Sequence, residues 1–405
     1  MTAFTPAAAA ALPGPVWLRA ARTAAAERAA ALAVPTDAEE IWRYSRIGEL
    51  DLDAYTPAAA VSHVAGSGGV AADLGAALGA SSSTLPLLDR DGVLGEVAGE
   101  HDLFSALNAA FTLDPVCIDV PKGKALEAPI VITHTVAGGG VAHFPRTIVR
   151  AGEQSEVSVV EVFISPTGAA ADSGPALVCP VLEIDVADGA NVRYTAVQLL
   201  GPEVTSIAYQ GSRIGRDAHL ASGTVALGGK YARTRTDSRL MAQGGSANLL
   251  AVYFGAVDQM HDFRTLQHHE AGRTTSDLVF KGAVADRSHS VYSGMIRILN
   301  GARGADARQS NRNLVLSEGA HADSVPNLEI EENDVRCAHA SSVGPVDDEQ
   351  RYYLASRGIP PAVADRLIVL GFLSDVLDRL PARGLRGPLR DAIAAKLDAT
   401  EVIPS

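Results

Sequence analysis

Cysteine, aromatic side chains, basic charge and long apolar runs are all scarce in this sequence, and each scarcity closes off a class of function. Only Cys117, Cys179 and Cys337 occur among 405 residues, too few and too widely spaced for a disulfide framework. Nor can they hold a discrete iron–sulfur cluster alone, because such a cluster ordinarily takes four protein ligands, mostly thiolates in closely spaced runs. Aromatic residues make up 5%, which leaves few platforms for stacking sugar rings. The formal net charge of −13 argues against nucleic acid, whose phosphates call for a concentrated basic surface. The longest apolar run, residues 367–373, falls well short of the about 20 residues that span a bilayer. The alanine-rich N-terminus has no basic segment leading into a continuous apolar core, so no signal peptide is read there. The expectation is a cytoplasmic protein with neither a membrane nor a nucleic-acid partner.

Nucleotide-binding and common catalytic motifs are missing as well. The nearest approach to a P-loop, TVALGGKY (224–231), has Thr where the first Gly belongs and Tyr where Ser or Thr must hold magnesium. It reads better as a strand ending in a Gly-Gly turn. No GxGxxG after a strand, CxxC, HExxH or GxSxG is present. The densest histidine group is His261, His268 and His269 with Glu270, but adjacent residues on a strand face opposite ways, so His268 and His269 do not converge on one ion.

What the chain does contain falls into three regions: 1–115, 116–345 and 346–405. Residues 14–33 are dense in helix formers. Thr36-Asp-Ala-Glu39 has the spacing of a capping box, which predicts a second helix through TDAEEIWRYSRI, with Trp42 as a core anchor. Residues 62–84 are rich in Gly, Ala and Ser and read as a connection. A short helix is expected over HDLFSALNAAF (101–111).

From about residue 128 helical periodicity gives way to short alternating runs such as PIVITHTV, RTIVRAG, VLEIDVAD and RYTAVQLL. A loose echo of turn segments recurs in VADGANVRY (186–194), IGRDAHLAS (214–222), MAQGGSANLL (241–250), VADRSHSVYS (284–293) and LSEGAHADSV (316–325). Irregular recurrence of this kind suits a β-solenoid, in which each coil buries its inner face against the next. A β-sandwich would show more Asn-Gly or Asp-Gly hairpin turns.

After residue 346 the chain is helical again. In IPPAVADRLIVLGFLSDVLDRL the apolar positions extend around nearly the whole circumference, which calls for burial on more than one side. Either a partner or packing between the C-terminal helices answers that need.

Chemistry concentrates in NLEIEENDVRCAHASSVGPVDDEQRYYLASR, residues 327–357. If one strand carries Val335, Cys337 and His339 at two-residue spacing, thiol and imidazole share a face roughly 7 Å apart. Spacing alone favours a buried thiol beside a hydrogen-bonded histidine.

The longer run PNLEIEENDVRCAHASSVGPVDDEQRYYLASRGI resembles the C-terminal signature of the SufB/SufD family of iron–sulfur assembly scaffolds. The shared pattern is Pro-x-Leu-Glu-Ile, Asp-Val-x-Cys-x-His, Val-Gly, Asp-Glu-Gln and Tyr-Leu-x-Ser-Arg-Gly-Ile, with His339-Ala-Ser-Ser departing mildly from the commoner His-Gly-Ala-Thr. Trp42-Arg43-Tyr44 and DLFSALNAAF are similar to the family's N-terminal region. The pattern is nearer the SufD branch. Counting back from Pro326, the place where SufB carries its sulfur-accepting cysteine is Asn311, and Cys337-x-His339 stands where SufB has Glu and His.

The resemblance implies a mainly β fold, a right-handed parallel β-helix flanked by N-terminal and C-terminal helical regions. It implies a non-catalytic scaffold that pairs with SufB and recruits the ABC-type ATPase SufC through the C-terminal helices. Leu367, Leu370, Phe372 and Leu373 are the candidate contacts to SufC. A transient iron–sulfur cluster would form at the SufB–SufD interface, with none held stably by the isolated chain. His339 is the candidate iron ligand and Cys337 the weaker one. A SufB-like homodimeric scaffold, pairing of the chain with itself in the absence of SufB, and a β-helix enzyme acting on polysaccharide remain as alternatives.

Overall fold

The computed structural model describes residues 2–59, 94–166 and 174–400. The Gly- and Ser-rich connection expected over 62–84 lies outside them. The centre is a solenoid of parallel strands arranged in two sheets of eleven and eight strands. Among the described residues each strand pairs with one in the neighbouring coil, never with the strand that follows it in sequence. The expected β-helix core flanked by helices is therefore borne out. Met260 lies opposite His289, 29 residues on, and His289 opposite His321, 32 residues on. Unequal coils of this kind account for the irregular spacing of the turn segments. The turns themselves fall inside the echoes, at residues 187–190, 215–218, 241–245, 285–288 and 316–320.

Both faces of the eight-stranded sheet are buried, for different reasons. Along Ser246–Gly255, Leu249, Ala251 and Tyr253 face the lumen, where they meet Phe263, Leu278, Phe280 and Tyr292. Leu250, Val252 and Phe254 alternate with them and face outward, under the C-terminal helices. The long helix Pro361–Leu377 contributes Val369, Leu373, Val376 and Leu377 to that outer core, and the last helix Arg386–Asp398 adds Leu389, Ile393 and Leu397. The nearly all-round apolar character of the long helix is thus answered largely within the chain. Lys281 donates to the Phe372 carbonyl at 3.2 Å and pairs with Asp375 at 2.8 Å. Lys396 is half-buried and donates to the carbonyls of Leu227 and Phe254 and to Oε1 of Gln259.

The N-terminal helices Val16–Ala30 and Leu103–Phe111 pack on the outer face of the larger sheet at its early coils, against Ala142, Phe144, Leu177 and Ile207. Leu103–Phe111 begins with a capping box made by Asp102 and Ser105. Its Asn108 donates to the carbonyls of Pro145 and Cys179 and accepts from Arg146. Arg146 is itself paired with Glu183.

The helix expected over TDAEEIWRYSRI does not form, and this expectation is corrected. Short 3₁₀ turns, Glu40–Trp42 and Ile47–Glu49, take its place. The Thr36 amide does donate to the Glu39 carboxylate at 3.0 Å. The carbonyls a helix would have used are taken by the sheet, however: Arg233 donates to that of Ile41 and Arg264 to that of Arg43. Trp42 is buried under the Arg233 guanidinium, 3.9 Å from its ring, and Tyr44 turns at φ +65°. Tertiary contacts outweigh a local helix signal that is weak by nature.

Candidate functional site

The solenoid is open at its C-terminal end. Two strands lie there: His321–Ile330, the edge of the larger sheet, and Arg336–Gly344, the edge of the smaller, which carries Cys337 and His339. Each pairs on one side only, so each leaves a row of backbone N–H and C=O groups free for another chain. In a parallel stack, residues in register project to the same side. Cys337 stands over Ala307, His339 over Gln309, Ser341 over Asn311 and Val343 over Asn313. The four residues beneath are buried lumen residues. Cys337 and His339 therefore belong to the inward-facing row of the final coil, and they are accessible because no further coil covers them.

The two side chains differ in environment. Cys337 is half-buried and packs with Val335 against Ile296, Ile298 and Ala307. Burial, with Asp306 nearby, pushes its thiol up from the ordinary value. A raised thiol stays protonated at neutral pH and must lose that proton before it can bind a metal. His339 is exposed. Directly beneath it the Gln309 carboxamide is buried with neither its oxygen nor its nitrogen hydrogen-bonded. Around the two lie the exposed apolar side chains Leu328, Ile330 and Val343. The open end thus combines free strand edges, an apolar surface and an accessible imidazole over an unpaired amide.

Asn311 lies one strand in from this end. Its amide donates to the Tyr253 hydroxyl at 2.9 Å, and the Tyr253 hydroxyl donates to Asn313 Oδ1 at 2.7 Å. A neutral hydrogen-bonding residue occupies this lumen position. Cys117 and Cys179 are buried far from the open end in sequence and fold. Burial pushes Cys117 up to about 11 and Cys179 well above its ordinary value.

Residues 133–372 match the sequence model of the SUF system FeS cluster assembly SufBD core domain. The chain belongs to the SufBD family. It is 34% identical over 351 residues to a SufBD-family iron–sulfur cluster assembly protein of Mycobacterium tuberculosis, covering 81% of this chain and 85% of the relative. It is 33% identical to the SufD iron–sulfur cluster assembly protein of Bacillus subtilis over 301 residues, 74% of this chain and 67% of the relative. It is 28% identical to SufD of Escherichia coli over 314 residues, 76% and 72%. The resemblance drawn from the C-terminal signature is borne out, and the protein is a SufBD-family iron–sulfur cluster assembly protein with SufD-like relatives.

Within this family member the four candidate SufC contacts occupy different environments. Leu367 is exposed, Leu370 and Phe372 are half-buried, and Leu373 is buried against the solenoid wall. Val363, Tyr352 and Tyr353 are further exposed apolar or aromatic residues of the C-terminal helices. Among the described residues no helix is long and apolar enough to cross a membrane.

The histidine group singled out in the sequence is dispersed. His269 is buried between Thr274 and Ser276, each at 2.8 Å, while His268 faces the other way beside Glu270. His261 is buried beneath Phe254 and Lys396, and burial pushes its imidazole down to about 3. A different set escaped the sequence reading: His289, His321 and Asp323 come together on the outer face of the larger sheet. The signal was available, because the turn segments VADRSHSVYS and LSEGAHADSV carry His289 and His321 at the same position.

Proposed function

We propose that the chain is a SufD-like, non-catalytic scaffold subunit. It pairs with a SufB subunit through the open end of the solenoid, and the nascent iron–sulfur cluster assembles at that interface. His339 is the iron ligand contributed from this side. The observation that carries the reading is the place of Cys337 and His339 in the lumen-facing row of a final coil with two free edges. A second β-solenoid presenting its own edge strands would continue both sheets and enclose His339 between the subunits. The exposed His339 imidazole is open to an incoming iron, whereas Cys337 is half-buried with its thiol pushed up by that burial, so His339 ranks first. SufC, the ATPase, docks on the exposed face of the C-terminal helices around Leu367, with Leu370 and Phe372 at the margin and Leu373 supporting them from within.

The test is His339→Ala in the complex reconstituted with SufB and SufC. Exposed substitutions of this kind usually change stability by within about 0.5 kcal/mol. Assembly and melting temperature are expected to hold while cluster formation falls strongly. Undiminished cluster yield from a correctly assembled complex removes His339 from the site. The isolated chain is expected to be colourless after anaerobic iron and sulfide reconstitution. A stable cluster on that chain would favour the SufB-like homodimer instead.

A further inference from the structure

The cluster on the outer face of the larger sheet carries an inference separate from the scaffold reading. His289 begins the strand His289–Ile298, and His321 begins its in-register neighbour His321–Ile330, so the two imidazoles are stacked one coil apart with ring centres at 5.1 Å. Asp323 follows His321 by two residues and shares its face. His289 Nε2 lies 2.7 Å from Asp323 Oδ2, and His321 Nε2 lies 3.2 Å from Oδ1 of the same carboxylate. The three ligand atoms lie within 4.8 Å of one another, the one such group of three among the described residues.

We propose that His289, His321 and Asp323 form a binding site for a first-row divalent metal ion of the Zn²⁺ or Fe²⁺ type. Two imidazole nitrogens and one carboxylate are a donor set suited to these ions, and three protein ligands leave coordination positions for water or an incoming group. A metal about 2.0–2.1 Å from each donor sets the donors roughly 3.3 Å apart, so small side-chain rotations suffice. Paired strands hold the three Cβ atoms, so little chain entropy is lost on binding. To ligate the ion, each imidazole presents its Nε2 lone pair and carries its proton on Nδ1. His321 is exposed, with 68% of its side chain accessible, while His289 and Asp323 are about three-quarters covered. An ion therefore has a short path in, and the site is built for exchange rather than for permanent structural binding. The net charge of −13 raises the local concentration of cations.

The site lies on a different sheet and a different face from His339, so the two are separable. The experiment is calorimetric titration of the full-length chain with Zn²⁺, repeated anaerobically with Fe²⁺, on the wild type, His321→Ala, Asp323→Asn and the pair Cys337→Ser/His339→Ala. One equivalent is expected to bind the wild type, with affinity at least tenfold weaker in His321→Ala and Asp323→Asn and unchanged in the Cys337/His339 pair. His321 is exposed, so its replacement leaves the fold intact, which circular dichroism verifies. Binding to the wild type no tighter than to His321→Ala, or binding abolished in the Cys337/His339 pair, overturns the proposal. Zinc absorption spectra of the loaded wild type are expected to show two imidazole nitrogens in the first shell, and a shell without imidazole refutes it.

Discussion

Gly282 lies in the lumen row of the strand Thr275–Val284, in register with Tyr253 on one side and Asn313 on the other. The Tyr253 ring passes over it, and its hydroxyl thereby reaches Asn313 two coils away. A Cβ at this position would sit 1.9 Å from Tyr253 Cε2, 2.4 Å from Cζ and 2.5 Å from Cδ2, against about 3.5–4.0 Å for carbon atoms in contact. The ring cannot retreat freely. Phe263 lies beside it with ring centres at 4.7 Å, and the hydroxyl is held by Asn313 and Asn311 at 2.7 and 2.9 Å. Gly282→Ala therefore costs about 1–3 kcal/mol in overpacking. If the ring swings away, buried carboxamides are left unpaired at roughly 1–3 kcal/mol more. A total near 3 kcal/mol corresponds to a drop of roughly 3–4 °C in melting temperature for a chain of this length. The assay is a thermal melt of Gly282→Ala, Tyr253→Leu and the double variant. The double variant is expected to be less destabilised than the sum of the singles, by about 1–3 kcal/mol. A melting temperature for Gly282→Ala within 1 °C or so of wild type, or strict additivity, would refute the reasoning.

Three further expectations rest on other parts of the structure. Burial alone would raise the Glu183 carboxyl, yet Arg146 and the backbone amides of Ala98, Gly95 and Val97 hold it below the usual carboxylate range. Its contribution is present above the unfolded pKa of about 4.3 and lost as pH falls through the lower folded value. Glu183→Gln should cost about 3–5 kcal/mol at neutral pH and flatten acid unfolding below pH about 4; an unchanged melt at pH 7 would count against it. Burial pushes the Lys396 amine down to about 7, so the unfolded chain binds more protons than the folded one between that pH and the unfolded pKa of about 10.4. Stability should therefore rise with pH across that window, and Lys396→Met should remove the rise, as melts at pH 7 and 9 would show. Trp42→Ala leaves a cavity under Arg233 and should cost about 3–5 kcal/mol, with amide exchange speeding up first around residues 40–49; uniform exchange would contradict the anchoring role.

Much of this protein was legible one residue at a time. Helix-forming composition placed Val16–Ala30 and Leu103–Phe111, and small residues at recurrent turns marked a solenoid. The ordered string from Pro326 to Ile359 carried the family, because a long pattern of specific residues survives without knowledge of any contact. Other features depended on how coils stack. Turn length sets the register, so coils of 29 and 32 residues brought His289 over Met260 and His321 over His289, a pairing no local period encodes. Where both sheet faces are buried, alternation in hydrophobicity fades, and Tyr253 could not be assigned to the lumen or Phe254 to the helices from their types alone. The carbonyls of Ile41 and Arg43 were claimed by arginines about 190 and 220 residues away, which overrode a capping signal confined to four residues. The exposure of His339 is likewise a property of the stack: its row is the interior of every earlier coil, and it meets solvent only because the solenoid stops there.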